Sequence, residues 1–299
     1  MHRKLRRVVK NMRVYVVGLQ RWHAIAAAAV VLLAILTAAL WPRPSAGEGG
    51  YAETFYSTSQ ALPVTATADE GALLCIIIDD FGSGRDGVRQ MMDIDAHLTF
   101  AVLPYGPFTT QDAEAAHEKG YEVIVHLPME PMHGSLSWLG PNAILCSQDS
   151  DKISALSAMA LHNVPYAVGA NVHMGSKASA DGRVMESILN QVAAADMFFV
   201  DSRTGDKSVI PAIAQQLAVP CLERNVFLDG QQPKAHVLKQ LAVARDIALR
   251  QGYAVAIGHV GIEGGRVTAE AIAESLPGWK EDGIRVVFAS EMLGMLGER

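Results

Sequence analysis

Cysteine is scarce in this chain. Among 299 residues only Cys75, Cys146 and Cys221 occur, far apart and odd in number. No C-x-x-C is present, which excludes a disulfide framework and a zinc knuckle as organising devices. A phosphate-cradling glycine loop is missing too: Gly82-Ser83-Gly84 lacks the remaining spacing of a dinucleotide fingerprint. There is no internal repeat. Basic residues are concentrated at one end. Residues 1–23 hold seven Lys and Arg and no acid, so the net charge of −6 less that +7 leaves −13 on the remainder. An acidic body without a basic stripe argues against a nucleic-acid partner.

What the amino-terminal end does have is a long apolar run. Ala24 to Leu40 is uncharged and almost wholly apolar, flanked by Trp22 and Trp41. Its helical length is near the short limit for crossing a bilayer, and the basic flank before it orients such a span with its amino end inside. The expectation is a basic cytoplasmic segment (1–23), a transmembrane anchor (24–41) and a single-pass topology. The rest of the chain would then lie in the periplasm or outside. A cleaved signal peptide is the rival reading, with Thr37-Ala38-Ala39 a poor cleavage site. Residues 42–71, rich in Gly, Pro, Ser, Thr and Ala, read as a linker, and the folded domain covers 72–299.

Within that domain short apolar runs alternate with helical patterns, from Leu73–Ile78 through Leu98–Leu103, Tyr121–His126, Tyr166–Val172 and Met197–Asp201 to Tyr253–Ile257 and Ile284–Phe288. Regular βα alternation implies a parallel sheet with helices outside. Seven to eight strands favour an α/β barrel over an open doubly wound sheet. Residues 127–149, with Pro128, Pro131, Gly134, Gly140 and Pro141, form a loop long enough to be functional or mobile.

The chemistry-bearing residues fall at strand ends. Six apolar residues, Leu73 to Ile78, run directly into Asp79-Asp80. Two adjacent carboxylates at the mouth of a core repel one another and lose water. A metal ion or a proton-transfer task explains that arrangement; a helix cap beside a solvated Asp also would. Other strands end at His126, at Asn171 to His173, at Asp201-Ser202-Arg203 and at His259. In a parallel barrel these ends share one rim, and converging Asp and His suit a divalent metal.

Five segments carry a resemblance: Ile78-Asp79-Asp80-Phe81-Gly82, His126-Leu127-Pro128-Met129-Glu130-Pro131, His173-Met174-Gly175-Ser176, Phe198 to Thr204 and Ala256-Ile257-Gly258-His259. In this order the chain resembles the divergent polysaccharide deacetylases, a distant branch of the NodB-like carbohydrate esterases. The resemblance implies a NodB-like (β/α) barrel and a divalent metal, with zinc as the first choice. It implies Asp79 as base, Asp80 and His126 as metal ligands and His259 as general acid. Asp201 would tune His259, or Arg203 would orient the base; Arg203 could equally pair with Asp201 and organise the loop. The family's second His, four residues after the first, is replaced here by Glu130. The third ligand is therefore Glu130 or His173, and His173 is preferred because a strand terminus is more rigid than a Pro-flanked loop.

The implied function is metal-dependent deacetylation of an acetylated envelope glycan, with the membrane as a further contact through the anchor. A catalytically inactive member that binds glycan or protein is the alternative, favoured by the altered ligand motif. A phosphoesterase on the same barrel is disfavoured because no basic phosphate clamp lies near the strand ends.

Overall fold

The computed structural model describes residues 71–230 and 233–297. Its strands are β1 (Ala72–Phe81), β2 (Thr99–Val102), β3 (Glu122–Met129), β4 (Ala167–Met174), β5 (Phe198–Asp201), β6 (Cys221–Glu223), β7 (Val226–Phe227), β8 (Tyr253–His259) and β9 (Ile284–Val287). Its helices are α1 (Val88–Met91), α2 (Thr109–Glu118), α3 (Ser150–Asn163), α4 (Gly182–Ala194), α5 (Ile210–Gln216), α6 (Lys234–Gln251), α7 (Gly265–Glu281) and α8 (Ala289–Gly297).

One parallel sheet runs in the order β6-β5-β4-β3-β2-β1-β8-β7, with β9 on the amino-terminal half of β1. Its two ends are consecutive pieces of one extended segment. The Arg224 N–H continues the β5 ladder by donating to the Asp201 carbonyl (3.0 Å), and the next residue, Asn225, donates to Val255 of β8 (2.8 Å). Residues 221–228 thus pair first with β5 and then with β8, and the sheet curls round on itself.

Strand alternation separates two apolar sets. Leu73, Cys75 and Ile77 of β1 join Ile124, Val200 and Ile257 in an inner cluster, while Leu74, Ile76 and Ile78 join the helices. All six of the β1 residues are fully buried, and each large side chain contributes about 1.5–3 kcal/mol on leaving water. The inner cluster is closed below by α8, whose Ala289 and Met292 pack into it. Glu122 receives the first turn of α8: the Ser290 N–H donates to its carboxylate (3.3 Å), and Thr99 links Glu122 to the Ala289 N–H. A carboxylate suits the positive end of a helix.

Helix signals worked where side chains cap. The Asp149 carboxylate accepts the Lys152 N–H and Asp181 accepts the Val184 N–H, opening α3 and α4. The helix expected over 85–92 shrinks to one turn because Gly87, at φ 77°, precedes it in a left-handed conformation. The helix expected over 268–274 extends to 265–281 through Pro277. Burial of Ile272 and Trp279 offsets the hydrogen bond that a mid-helix proline removes.

Two expectations need correction. The sheet has nine strands rather than seven to eight, because β6 and β7 pair separately. The expected transmembrane helix is the second. Its segment, 24–41, lies outside the described residues, and among the described residues no helix is long and apolar enough to cross a membrane. The longest, α6, carries Lys239, Arg245, Asp246 and Arg250 on its way along the sheet. No described helix therefore supplies the expected membrane contact or the single-pass location with a domain in the periplasm or outside. The segments proposed for 1–23 and 42–70 also lie outside the described residues.

A backbone test separates conformation from contact. A Cβ on Gly120 (φ 84°) meets nothing within 4 Å, whereas on Gly87 (φ 77°) it meets the Gly265 carbonyl carbon at 2.2 Å. Gly120→Ala should cost about 1 kcal/mol. Gly87→Ala should cost about 3 kcal/mol, since strain and overpacking add. Urea unfolding midpoints of the two variants check the difference.

Candidate metal centre

The inward parity of the strands continues past the apolar layer into polar residues. Asp79 follows Leu73, Cys75 and Ile77 on the inner side and is in register with His259 of β8; His126 of β3 is in register with Asn171 of β4. Asp79, His126 and Asn171 are buried. Alternation would turn Asp80 outward. It does not, because the β1–β2 register slips: Ile78 pairs with Phe100 and Phe81 with Val102, so β1 carries one extra residue. Asp80 sits in that bulge at φ 70°, and bulges re-aim side chains at sheet rims. An Asp tolerates this left-handed backbone better than most residues.

Three ligand atoms meet there. Asp80 Oδ1 lies 3.3 Å from His126 Nε2 and 3.2 Å from His173 Nδ1, and the two nitrogens are 3.0 Å apart. These three residues form the candidate metal group among the described residues. Metal–ligand lengths of about 2.0–2.2 Å in a tetrahedron place ligand atoms about 3.3 Å apart, close to the spacings observed. Asp80 Oδ1 is buried without a well-formed hydrogen bond among the described residues, as an oxygen reserved for a cation would be. One carboxylate oxygen and two imidazole nitrogens suit zinc or a similar divalent ion.

The lone pairs are aimed by a relay. Asn171 donates its Nδ2 to Asp79 Oδ1 (2.7 Å), which leaves Asn171 Oδ1 to accept from His126 Nδ1 (2.7 Å). His126 Nδ1 therefore carries the proton and Nε2 faces the centre, a device common behind metal ligands. Burial would raise the Asp80 carboxyl, but His126 and His173 outweigh it and hold it well below the carboxylate range. For His126, burial opposes protonation, but Asp79 and Asp80 prevail and raise its pKa. Burial pushes Asp79 up, against the opposing pull of His126 and His259.

His259 stands on the neighbouring strand with a partner of its own. Its Nδ1 lies 2.7 Å from Asp229 Oδ1, and its backbone N–H donates to Asp229 Oδ2 (2.6 Å), which also accepts from the Thr268 hydroxyl (2.8 Å). Burial works against the charged ring, but Asp229 and then Asp79 overcome it, and the pKa rises to about 10.

The remaining expected site residues sit elsewhere. Glu130 is engaged away from the triad: its carboxylate accepts from the Cys146 N–H (2.7 Å) and Lys177 Nζ (2.6 Å). Burial would raise Glu130, but Lys177 and Cys146 hold it below its ordinary value. Asp201 accepts from the Arg203 N–H (2.8 Å), and the Arg203 side chain pairs with Glu223 (3.4 Å). The partner expected of Asp201 at His259 is instead Asp229. Arg224 also carries a positive charge near this end of the sheet. It donates to the carbonyls of Ser202 and Arg203, lies 3.7 Å over the Phe227 ring, and burial lowers its pKa to about 10 against the pull of Asp201 and Asp79. Asp229 carries a readable signal, since Val226-Phe227-Leu228 runs into it as apolar strands run into the other site residues. The Arg224 signal, a charged residue after Cys221-Leu222-Glu223, is weaker.

A curled parallel sheet whose strand ends gather one Asp and two His is the frame of the polysaccharide-deacetylase fold, with a group there that could hold a metal ion. The chain belongs to the divergent polysaccharide deacetylase family, whose model matches residues 76–293. It is 37% identical over 186 residues to the uncharacterized protein YibQ of Escherichia coli K12, covering 62% of this chain and 58% of that protein. It is 33% identical over 192 residues to an uncharacterized protein of Haemophilus influenzae, covering 62% of this chain and 66% of that one. The matches thus span roughly three fifths of those relatives' lengths. A crystal structure of an uncharacterized protein from Agrobacterium tumefaciens C58 shares the fold, with a TM-score of 0.70 at 19% identity over 76% of this chain and 91% of that one.

The ligand assignment predicts that Asp80→Asn, His126→Ala and His173→Ala each lower zinc affinity by about 100-fold or more, and Asn171→Ala by about 10-fold. Glu130→Ala should leave it unchanged. Competition with a chromophoric chelator reads this, and wild-type affinity should rise with pH as His126 loses its proton. The His259–Asp229 pair predicts a second result. A His with a raised pKa stabilises the fold in full below its unfolded pKa of about 6.5, and that stability fades as pH rises through about 10. Asp229→Asn should cost about 3 kcal/mol at pH 6 and progressively less toward pH 10, measured by urea unfolding across pH.

Proposed function

We propose that this protein is a metal-dependent hydrolase of the deacetylase kind, removing acetyl groups from an N-acetylated glycan such as a cell-envelope glycan. The observation that carries the reading is the Asp80–His126–His173 triad with Asp79 on one side and His259 on the next strand.

Asp80, His126 and His173 would hold the ion. When bound, the ion supplies Lewis acidity, polarising a carbonyl and lowering the pKa of water. The chain does the rest. Asp79, raised by burial, takes a proton from the attacking water; its other carboxylate oxygen is fixed by the Asn171 amide. His259 carries a proton at neutral pH and gives it to the departing amine nitrogen, as a general acid must when the C–N bond breaks. Asp229 holds the ring by Nδ1, so Nε2 is the nitrogen that faces out. Phe227 packs beside the imidazole with ring centroids 5.8 Å apart, and Arg224 also lies over its ring. Asp201 and Arg203 are assigned to the loop after β5, not to the reacting atoms.

The replacement of the family's second ligand His by Glu130 supports a second reading, a member that binds glycan without turnover. His173 is placed to take over as ligand, which favours the hydrolase.

Acetate release from N-acetylglucosamine oligomers by zinc-loaded protein tests the choice. Asp79→Asn and His259→Gln should each lower the rate roughly 100- to 10,000-fold without loss of zinc. Stoichiometric zinc with no acetate from any acetylated glycan would instead leave the non-catalytic reading standing.

A further inference from the structure

The loop between β3 and α3 is anchored at both ends and exposed in the middle. At its base the Glu130 N–H donates to Ile144 and the Ile144 N–H to Pro128, each at 2.9 Å. Glu130 then ties it to the loop after β4 through Lys177, and the Met132 N–H donates to Ser176 Oγ (2.9 Å). Between these anchors stand Met132, Leu136 and Trp138, with Trp138 67% exposed. Trp138 lies over Gly134, which also faces Met174, the residue after the ligand His173. The loop after β8, which follows His259, carries a second apolar side chain, Ile262, 98% exposed.

The sheet order runs β3-β2-β1-β8. A line from one apolar loop to the other therefore crosses the ends that bear His126, Asp79, Asp80 and His259. At ~4.8 Å per strand, three steps span about 14 Å, longer than one sugar ring.

We propose that Trp138 is a stacking platform for a sugar ring of the substrate, with Ile262 as its counterpart across the rim, so that the site takes an oligosaccharide strand rather than a single sugar. The inference rests on the hydrolase reading for its substrate class. A pyranose presents C–H faces edged by hydroxyls. The platform matches that pattern: a large flat apolar ring on a turn where Ser135 and Ser137 pair their hydroxyls at 2.7 Å. A protein partner would want a continuous apolar patch of several hundred Å², and here polar residues separate the apolar ones.

The test uses the full chain, zinc-free and zinc-loaded, with N-acetylglucosamine and its β-linked tetramer as probes. Calorimetry measures affinity, and the fluorescence difference between wild type and Trp138→Phe isolates one of four tryptophans. The tetramer should bind at least about tenfold tighter than the monomer, and Trp138→Ala and Ile262→Ser should each remove about tenfold of that gain. Trp138→Phe should restore most of it, and zinc affinity should not change in any variant. Equal affinity for monomer and tetramer, or unchanged tetramer affinity in Trp138→Ala, overturns the proposal, as does binding of a peptide but no glycan. Tetramer binding without acetate release would sink the hydrolase reading alone. Acetate release with unchanged KM in Trp138→Ala would sink this one alone.

Discussion

Two adjacent carboxylates at the end of a buried strand must both be satisfied, and the rest of the site depends on how this is done. Plain alternation would send Asp79 inward and Asp80 out among the helices. The extra residue in β1, with Asp80 at φ 70°, brings both to the inside. Once there they are treated differently. Asp80 faces two imidazole nitrogens and stays ionised. Asp79 receives an amide and is pushed up by burial. Environments that separate the pKa values of neighbouring acids are how one fold assigns different tasks to them.

The same economy governs the surrounding strands. Asn171 serves both Asp79 and His126, so the proposed base and a proposed ligand share one orienting group. Asp229 serves His259 twice, at the ring Nδ1 and the backbone N–H, and is itself held by the Thr268 hydroxyl. Space there is tight: a Cβ on Gly264 would lie 2.0 Å from Asp229 Oδ2. Glu130 is a clasp between two rim loops, a task that needs a carboxylate with two oxygens facing two donors.

Much of this was legible in the sequence. Apolar runs ending in Asp or His marked β1, β3, β4, β5 and β8. What escaped notice shares a cause: it depends on partners distant in sequence. The bulge at Asp80 is a register fact and has no local signature. Asp229 meets His259 only because residues 221–228 turn from β5 to β8. Asp201 looked equally suited to that role but is occupied by its own loop. Helix α8 is short, mostly apolar and glycine-bearing, so its pattern gave no period, and its start is capped by Glu122 from 168 residues away in sequence. The apolar run at 24–41, which hydropathy marks as a membrane span, lies outside the described residues, and no described helix supplies such a span.

The central claim is that the bulged Asp80 completes a metal site with His126 and His173. Crystals of the zinc-loaded protein, measured at the zinc absorption edge, test it most directly. The account predicts one anomalous peak per chain, bonded at about 2.0–2.2 Å to Asp80 Oδ1, His126 Nε2 and His173 Nδ1, with Glu130 still on Lys177. A peak held by Glu130, or no peak at the triad in saturating zinc, would contradict it.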